Sequence, residues 1–146
     1  MTEILREIVR HPSAWYGRDL AHGSSWIVHL EPAHLAEIAA ATQSVARRGL
    51  PFAALTRDDF PLPTLGPLLR RWQEEIIDGR GFYVLRGLNA ADYTDAEVGT
   101  IFWAMGLYLG HAVTQNPKGD LLGHVYDHGR RYGDRQLVET ALQATG

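Results

Sequence analysis

A short apolar run, Phe82–Leu85, is the feature that most constrains how this chain can fold. The run is flanked by glycines, Gly81 and Gly87, and contains no charged residue. Four consecutive apolar positions bounded by turn-forming residues indicate a strand that is buried on both faces. The rest of the chain must therefore supply helices or further strands that cover it.

Helical periodicity predicts the elements that could cover this strand. Pro32 favours a helix start, because its missing N–H would be unpaired in the first turn, and Gly49 supplies a stop signal. A second helix is predicted from about Thr64 to Ile77. A third begins at Thr94, where Glu97 completes a capping box. The apolar stripe of this third helix is predicted to contain Val98, Ile101, Phe102, Met105 and Leu109.

Shorter patterns predict the remaining segments. Residues 50–63 are rich in Pro and turn formers and should form an ordered loop, with Asp58 or Asp59 accepting hydrogen bonds from local backbone N–H groups. Ala112–Gln115 is predicted to be extended, Leu121–Tyr126 to form a second strand, and Asp134 to cap a last short helix. The order helix, helix, strand, helix, strand, helix indicates an α+β fold in a single domain, residues 1–146.

Isolated aromatic and histidine residues receive structural interpretations. Three aromatic side chains in helices are predicted to pack against other helices: Trp72, Phe102 and Trp103. Three histidines are predicted to face solvent: His11, His22 and His34. The Gly79–Gly81 segment is predicted to be a tight turn, because it lacks the glycine spacing of a phosphate-binding loop.

Composition and charge exclude several classes of function. At 146 residues, 45% hydrophobic and 21% charged, the chain has the make-up of a globular domain. A formal net charge of -3 provides no cationic field for nucleic acid or for an anionic membrane surface, so neither partner is expected. Without cysteine there can be no disulfide, thiolate zinc site, iron–sulfur cluster or cysteine nucleophile, and metal chemistry would have to use His and carboxylates.

The N-terminal residues and the hydropathy pattern predict the location of the protein. Met1–Arg10 mixes apolar and charged residues, unlike the apolar core of a signal peptide. No window approaches the roughly 20 apolar residues needed to cross a bilayer. A cytoplasmic protein is therefore expected.

Three long phrases of the sequence resemble one enzyme family. They are Gly49–Gly66 (GLPFAALTRDDFPLPTLG), Asp78–Leu88 (DGRGFYVLRGL) and Gln115–Val125 (QNPKGDLLGHV). Together they are similar to the N-terminal portion of TauD/TfdA-like (taurine dioxygenase-like) non-haem Fe(II)/2-oxoglutarate dioxygenases. The resemblance covers about residues 26–132, whereas residues 133–146 depart from the family pattern.

The resemblance implies a fold and a set of cofactors. It implies N-terminal helices and the first strands of a double-stranded β-helix, or jelly roll; since that fold has about eight strands and the chain offers few, the barrel would be incomplete. The family binds Fe(II) through two His and a carboxylate in an H-x-D/E…H pattern. In the family this segment lies beyond the point where the chain ends. Fe(II) and 2-oxoglutarate are thus expected for the complete enzyme, neither is expected to bind this chain alone, and no catalytic residue is assigned.

Two groups of residues within the chain could still hold a metal. His29 and Glu31 form an H-x-E pattern, with His111, His124 and His128 downstream. The alternative is that Glu31 stabilises the start of a helix, where the helix dipole favours a carboxylate.

The second group is His124, Asp127 and His128. Its two histidines share a face only if the segment is helical, whereas the neighbouring glycines favour strand and turn. A weak surface site for zinc or nickel is the metal-binding alternative here.

His111, Gln115 and Asn116 are the predicted substrate-binding residues. In the resembled family, the segment after the helix approaches the substrate pocket, and a His there can contact an anionic substrate. The alternative is that His111 stabilises a helix C-terminus and that Asn116 makes a turn before Pro117.

Three hypotheses about function follow. The first is that the chain is the N-terminal part of a dioxygenase, inactive alone, truncated or completed by a separately encoded C-terminal half, and acting on a small molecule once completed. The second is a non-catalytic binding or oligomerisation module, including a homo-oligomer, which would use an exposed sheet edge. The third is a small metal-binding protein that uses His124, Asp127 and His128.

Overall fold

A computed structural model describes residues 7–123 and residue 125. Its helices are α1 (Gly17–Leu20), α2 (Pro32–Arg48), α3 (Leu65–Asp78) and α4 (Asp95–Leu109), and its strands are β1 (Ile27–His29) and β2 (Val84–Arg86). Short 3-10 turns occupy Phe52–Ala54, Arg57–Asp59 and Ala90–Asp92. In this part of the chain no helix combines the length and apolarity needed to cross a membrane.

Helix α2 confirms the helix predicted between Pro32 and Gly49. Pro32 occupies the first turn, and Gly49 ends the helix in the left-handed conformation, with φ of 64°. Its buried face carries Ile38, Ala41 and Val45, which repeat at helical spacing. This face forms one side of the hydrophobic core.

Helix α3 is confirmed close to its predicted limits, and a residue of α2 caps it. The Glu37 carboxylate accepts hydrogen bonds from the backbone N–H of Thr64 at 2.9 Å and of Leu65 at 3.1 Å. It also accepts one from the Thr64 hydroxyl at 2.6 Å. The first N–H groups of a helix lack partners within the helix, so Glu37 joins the start of α3 to the side of α2.

Helix α4 has the capping box that its sequence predicts. Thr94 Oγ1 accepts from the Glu97 N–H at 3.3 Å, and Glu97 Oε2 accepts from the Thr94 N–H at 2.8 Å. The prediction for the buried face is wrong at Phe102, which is 69% exposed. The buried residues of α4 are Ile101, Trp103, Ala104 and Tyr108. Apolar residues occur on several sides of this helix, so packing against α2 and α3 decides which of them is buried.

Residues 50–63 form the ordered loop that was predicted. Asp59 accepts hydrogen bonds from the Thr56 N–H at 3.0 Å and from the Thr56 hydroxyl at 2.7 Å, and it pairs with Arg48 of α2. The loop places Phe60, which is fully buried, in the core. Local carboxylate bonds thus fix the route of the chain between α2 and α3.

Tyr108 anchors this loop to α4. Its hydroxyl donates to the Phe60 carbonyl at 2.9 Å and accepts from the Leu62 N–H at 3.2 Å. Its ring lies so close to Gly66 that a Cβ there would be 2.7 Å from Tyr108 Cε1. Gly66 therefore permits the close approach of α3 to α4.

The strands β1 and β2 pair in parallel, with Ile27 opposite Val84 and His29 opposite Arg86. A parallel pair needs a long crossover, which here contains α2 and α3. The prediction that Phe82–Leu85 is buried on both faces is wrong for the described residues, because Val84 is 36% exposed and Leu85 is half-buried. Within the described part β1 and β2 pair only with each other, which leaves the outer edge of each strand without a strand partner. The jelly roll remains a prediction.

The N-terminal segment packs against the turn that precedes β2. Trp15 and Trp26 both contact the Phe82 ring, with centroid separations of 5.2 Å and 5.8 Å. The Trp15 indole donates to the Arg80 carbonyl at 3.0 Å, and Arg80 Nη2 lies 3.0 Å from Ser25 Oγ. Residues 79–81, predicted to be a tight turn, form a bend between α3 and β2, in which Gly81 has a φ of 93°.

Three further predictions have mixed outcomes. The prediction that His34 faces solvent is wrong, because this residue is only 8% exposed. Its Nδ1 accepts a hydrogen bond from the Glu31 N–H at 3.1 Å. His11 and His22 are exposed, as predicted. Residues 112–115 belong to no helix or strand, and neither do Leu121–Gly123. Most of the rest of the predicted second strand, and the helix predicted from Asp134, lie outside the described residues.

Candidate functional site

A cavity lies where α4 ends and the chain turns back across it. Its volume is about 660 Å³, within the range of sites that hold small organic molecules. Helix α4 and the segment that follows it form the walls. The lining residues are Phe102, Trp103, Gly106, Leu107, Leu109, Gly110, His111, Ala112, Val113, Gln115, Leu121, Leu122, Gly123 and Val125.

A hydrogen-bonded turn brings the two walls together. The Gln115 N–H donates to the Asp120 carbonyl at 2.7 Å, which closes the loop between them. Inside the loop, Asn116 Oδ1 accepts from the N–H groups of Lys118 at 3.0 Å and Asp120 at 3.2 Å. Gly119 adopts a positive φ of 85°, which glycine tolerates without a steric penalty. This turn directs the following leucines back to the cavity.

Trp103 joins the helical wall of the cavity to the hydrophobic core. This residue is 8% exposed, and its ring packs edge-on against Phe52 at a centroid distance of 5.3 Å. Its indole N–H is buried and has no acceptor among the described residues. An unpaired buried donor is uncommon in folded proteins, so Trp103 is an unsatisfied polar group in the cavity wall.

Few polar side chains border the cavity. His111 is exposed, and its imidazole can donate or accept a hydrogen bond. The Gln115 side-chain amide donates to the Val113 carbonyl at 2.8 Å. No Asp, Glu, Lys or Arg is among the described lining residues. The site is therefore apolar, with a histidine as its ionisable group.

The structure brings together two of the three predicted substrate-binding residues. His111 and Gln115 border the same cavity. Asn116 does not border it, because its side chain holds the turn and also donates to Asp120 Oδ2 at 2.7 Å. The sequence alternative for Asn116, a residue that makes a turn, is the one that the geometry shows.

The candidate metal ligands are not brought together among the described residues. His29 lies at the end of β1 with an exposed side chain, and Glu31 is exposed at the start of α2. In residues 7–123 and 125, no group of three or more His, Asp or Glu side chains is arranged to hold a metal ion. The second group, His124, Asp127 and His128, lies outside the described residues.

The carboxylates with shifted pKa values belong to the scaffold and do not line the cavity. Hydrogen bonds from Thr94 lower the pKa of Glu97, and hydrogen bonds from the Thr56 hydroxyl and N–H, with help from Arg48, lower that of Asp59 to about 2. Burial raises the pKa of Glu37, but hydrogen bonds from Thr64 and Leu65 outweigh it, so the net shift is downward. Each of these groups caps a helix or a turn, which explains its preference for the charged form.

Sequence reasoning missed the residues that give the cavity its apolar surface. Four large side chains in its lining are markedly exposed: Phe102 at 69%, Val113 at 68%, Leu121 at 38% and Val125 at 98%. The signal available in the sequence was that α4 carries apolar residues on more than one face, which is more than a helix packed on one side requires.

Comparison with known proteins shows similarity to two larger ones. The chain is 33% identical to FR-33289 synthase of Streptomyces rubellomurinus over 130 residues, which is 89% of this chain and 38% of that protein. It is 31% identical to taurine hydroxylase-like protein SAT17 of Stachybotrys chartarum over 126 residues, 86% of this chain and 33% of that protein. The matched part of the chain thus spans about a third of the length of these relatives. No family model matches the sequence.

The name of one relative agrees with the resemblance in the sequence. SAT17 is described as taurine hydroxylase-like, and the match covers most of this chain. The similarity to SAT17 therefore points in the same direction as the sequence phrases, over 33% of the length of that protein.

Proposed function

We propose that this chain is the part of a TauD/TfdA-like non-haem Fe(II)/2-oxoglutarate dioxygenase that scaffolds and partly lines the substrate pocket. The observation that carries the proposal is the match over 89% of the chain to a protein more than twice as long. The cavity beside His111 supports it, because the resembled family approaches its substrate with this segment.

In this proposal the described residues provide binding surface and no metal ligands. A facial site needs two His and one carboxylate within reach of one ion, and the described residues contain no such group. The donor set therefore does not fit Fe(II) with 2-oxoglutarate. The ligands would come from sequence outside the described part, or from a separately encoded half that completes the enzyme.

The cavity suggests what the chain's own residues do in the completed enzyme. Helix α4 holds Trp103 in place through the core, so one wall of the pocket is fixed before substrate binds. His111 lies at the cavity as the ionisable contact for a substrate group. A wall that is already in place can orient a substrate without a further loss of protein conformational entropy on binding.

An anaerobic absorption titration with Fe(II) and 2-oxoglutarate tests the assignment of metal ligands. A chelated keto acid gives a visible charge-transfer band, and the folded chain alone should give none. Near-ultraviolet circular dichroism would establish that the sample is folded. A saturable band from the chain alone would contradict the proposed division between scaffold and metal site.

A complementation experiment tests the positive side of the proposal. The chain would be mixed with a polypeptide that carries the H-x-D…H segment, and the same band should then develop in proportion to the complex formed. His111→Ala should leave the band in place and raise KM for the substrate, whereas His22→Ala, an exposed histidine that does not border the cavity, should change neither. A complex that forms without the band would count against a dioxygenase.

A binding or oligomerisation module is the second candidate function. The observation that favours it is the exposure of Phe102 and Val113 on one side of the molecule. Large apolar patches on a protein surface commonly mark interaction sites. Size-exclusion chromatography with light scattering would separate the two functions, since a stable monomer that binds no homologous enzyme contradicts this candidate.

A further inference from the structure

We propose that the cavity at the end of α4 takes the uncharged, apolar body of a small organic molecule, an aromatic or branched aliphatic group that carries one hydrogen-bond acceptor. The apolar body lies against Phe102, and the acceptor contacts His111. This inference rests on the proposed function, because it names the class of substrate that the pocket would take.

The chemistry of the lining decides the class. Nine of its fourteen described lining residues have apolar side chains, three are glycines, and the remaining two are His111 and Gln115, so none bears a fixed charge. A highly charged or zwitterionic molecule would lose its hydration in such a site without gaining an ion pair. An apolar group gains free energy in proportion to the area that leaves water.

Because Phe102 and Val113 are so exposed, a ligand that covers this wall would remove a large apolar area from water. Phe102 is 69% exposed and Val113 is 68% exposed, although both border a concave surface. A ligand in the cavity would cover both side chains together. Aromatic rings contribute the largest buried areas of any side chain, so Phe102 should dominate the affinity.

Among the described lining residues, one side chain is placed to donate a hydrogen bond to an acceptor on the ligand. The Gln115 amide N–H already donates to the Val113 carbonyl. The Trp103 indole N–H is enclosed in the wall. His111 is exposed at the cavity and can donate from its ring. A single acceptor on the ligand, such as a carbonyl or one anionic oxygen, therefore matches the site.

The volume is large enough for a ring system or a branched chain. A cavity of about 660 Å³ is larger than a molecule of a few heavy atoms would fill, and unfilled apolar space forfeits contacts. A ring system or a branched chain fits the space better than a compact amino acid analogue.

Fluorescence of 8-anilinonaphthalene-1-sulfonate tests the inference without iron or a partner polypeptide. This probe joins an apolar ring system to one acceptor group. We expect saturable binding at one site, displaced by 1-naphthoate and not by taurine at the same concentration. Displacement by taurine alone, or fluorescence that does not saturate, would overturn the inference.

Three variants locate the site. Phe102→Asp should weaken probe binding about tenfold or more, because it places a charge in the apolar wall. His111→Ala should weaken binding by a smaller factor of about three to ten. Ile77→Asp is the matched control, since Ile77 is 63% exposed on α3 and does not border the cavity, so its affinity should be unchanged. Equal affinity in Phe102→Asp and the wild type would overturn the assignment.

Two further measurements distinguish the loss of a ligand site from misfolding and from dimerisation. Phe102 is mostly exposed, so Phe102→Asp should fold, and near-ultraviolet circular dichroism would verify this. If light scattering shows a dimer that Phe102→Asp converts to a monomer, a second copy covers the cavity and the ligand proposal fails. The dioxygenase proposal is judged separately by the charge-transfer band, so the two can fail independently.

Discussion

At the scale of single residues, Tyr108 has the most consequential polar contacts in the core. Its hydroxyl donates to the Phe60 carbonyl and accepts from the Leu62 N–H, and the residue is 6% exposed. Removing the hydroxyl would leave two buried backbone groups unpaired. Unpaired buried groups are costly because they lose water without gaining a partner.

Tyr108→Phe should lower the free energy of unfolding by about 1–3 kcal/mol. Urea denaturation of the two proteins would measure the difference. Tyr93→Phe is a suitable control, since Tyr93 is half-buried and its hydroxyl makes no hydrogen bond within the described residues. A loss of similar size in both variants would show that the hydrogen bonds of Tyr108 are not the cause.

Asp59 makes the stability of the loop depend on pH. Hydrogen bonds from the Thr56 hydroxyl, then from the Thr56 N–H, and the bond from Arg48 lower the pKa of Asp59 from 3.8 to about 2. The folded state therefore favours the ionised carboxylate more than the unfolded state does. This contribution is fully present above about pH 4 and is lost as the pH falls through about 2.

Asp59→Asn should be less stable than the wild type near pH 7 and should lose less stability between about pH 4 and 2. Denaturation at several pH values would measure both effects. Glu37 and Glu97 also have lowered pKa values, so the difference between variant and wild type is the informative quantity. Asp58→Asn, at the neighbouring position outside this bonding pattern, should leave the acid profile as it is.

At the scale of elements, the cap that α2 provides for α3 links two helices that are distant in sequence. Glu37 receives hydrogen bonds from Thr64 and Leu65, 27 and 28 residues further along the chain. The negative charge also lies at the positive end of the α3 dipole. The start of α3 therefore depends on α2 being in place.

Glu37→Ala should destabilise the protein by about 0.5–2 kcal/mol, the range for loss of a helix cap. Glu37→Gln keeps one acceptor oxygen and should lose less. Thermal unfolding of the variants, followed by far-ultraviolet circular dichroism, would compare their stabilities. Glu74→Ala, at an exposed position of α3, should be close to neutral, and an equal loss there would argue against a capping role.

At the scale of the whole molecule, the described side chains form two packed clusters. One is the helical core between α2, α3 and α4, and the other consists of Trp15, Trp26 and Phe82 beside the strands. The second group is more exposed, since Trp15 retains 40% of its surface. Regions with fewer buried contacts open at a lower free energy than the core.

Trp15→Ala should raise hydrogen exchange in residues 14–27 without changing exchange at core positions such as Ile38. The variant removes an aromatic contact of about 0.5–1.5 kcal/mol and the hydrogen bond to Arg80. Mass-spectrometric hydrogen exchange would map the effect. Tyr16→Ala, 66% exposed, serves as the control, and faster exchange throughout the molecule would contradict the two-group description.

The candidate site could be predicted from sequence only in part. The resemblance directed attention to the segment after α4, and two of its three chosen residues border the cavity. Asn116 was chosen with them, although its side chain is used by the turn. The apolar wall was missed, because Phe102 was predicted to face other helices. Which side of α4 faces solvent depends on contacts with α2 and α3, and periodicity alone does not encode them.

The sequence by itself determined where the main helices begin and end. Pro32, Gly49 and the Thr94–Glu97 box act through hydrogen bonds and backbone preferences within a few residues, so they can be identified locally. Tertiary structure alone decided the burial of His34, the exposure of Phe102 and the parallel pairing of β1 with β2. These features depend on groups that lie far apart in sequence, and their free energies appear only once the elements pack together.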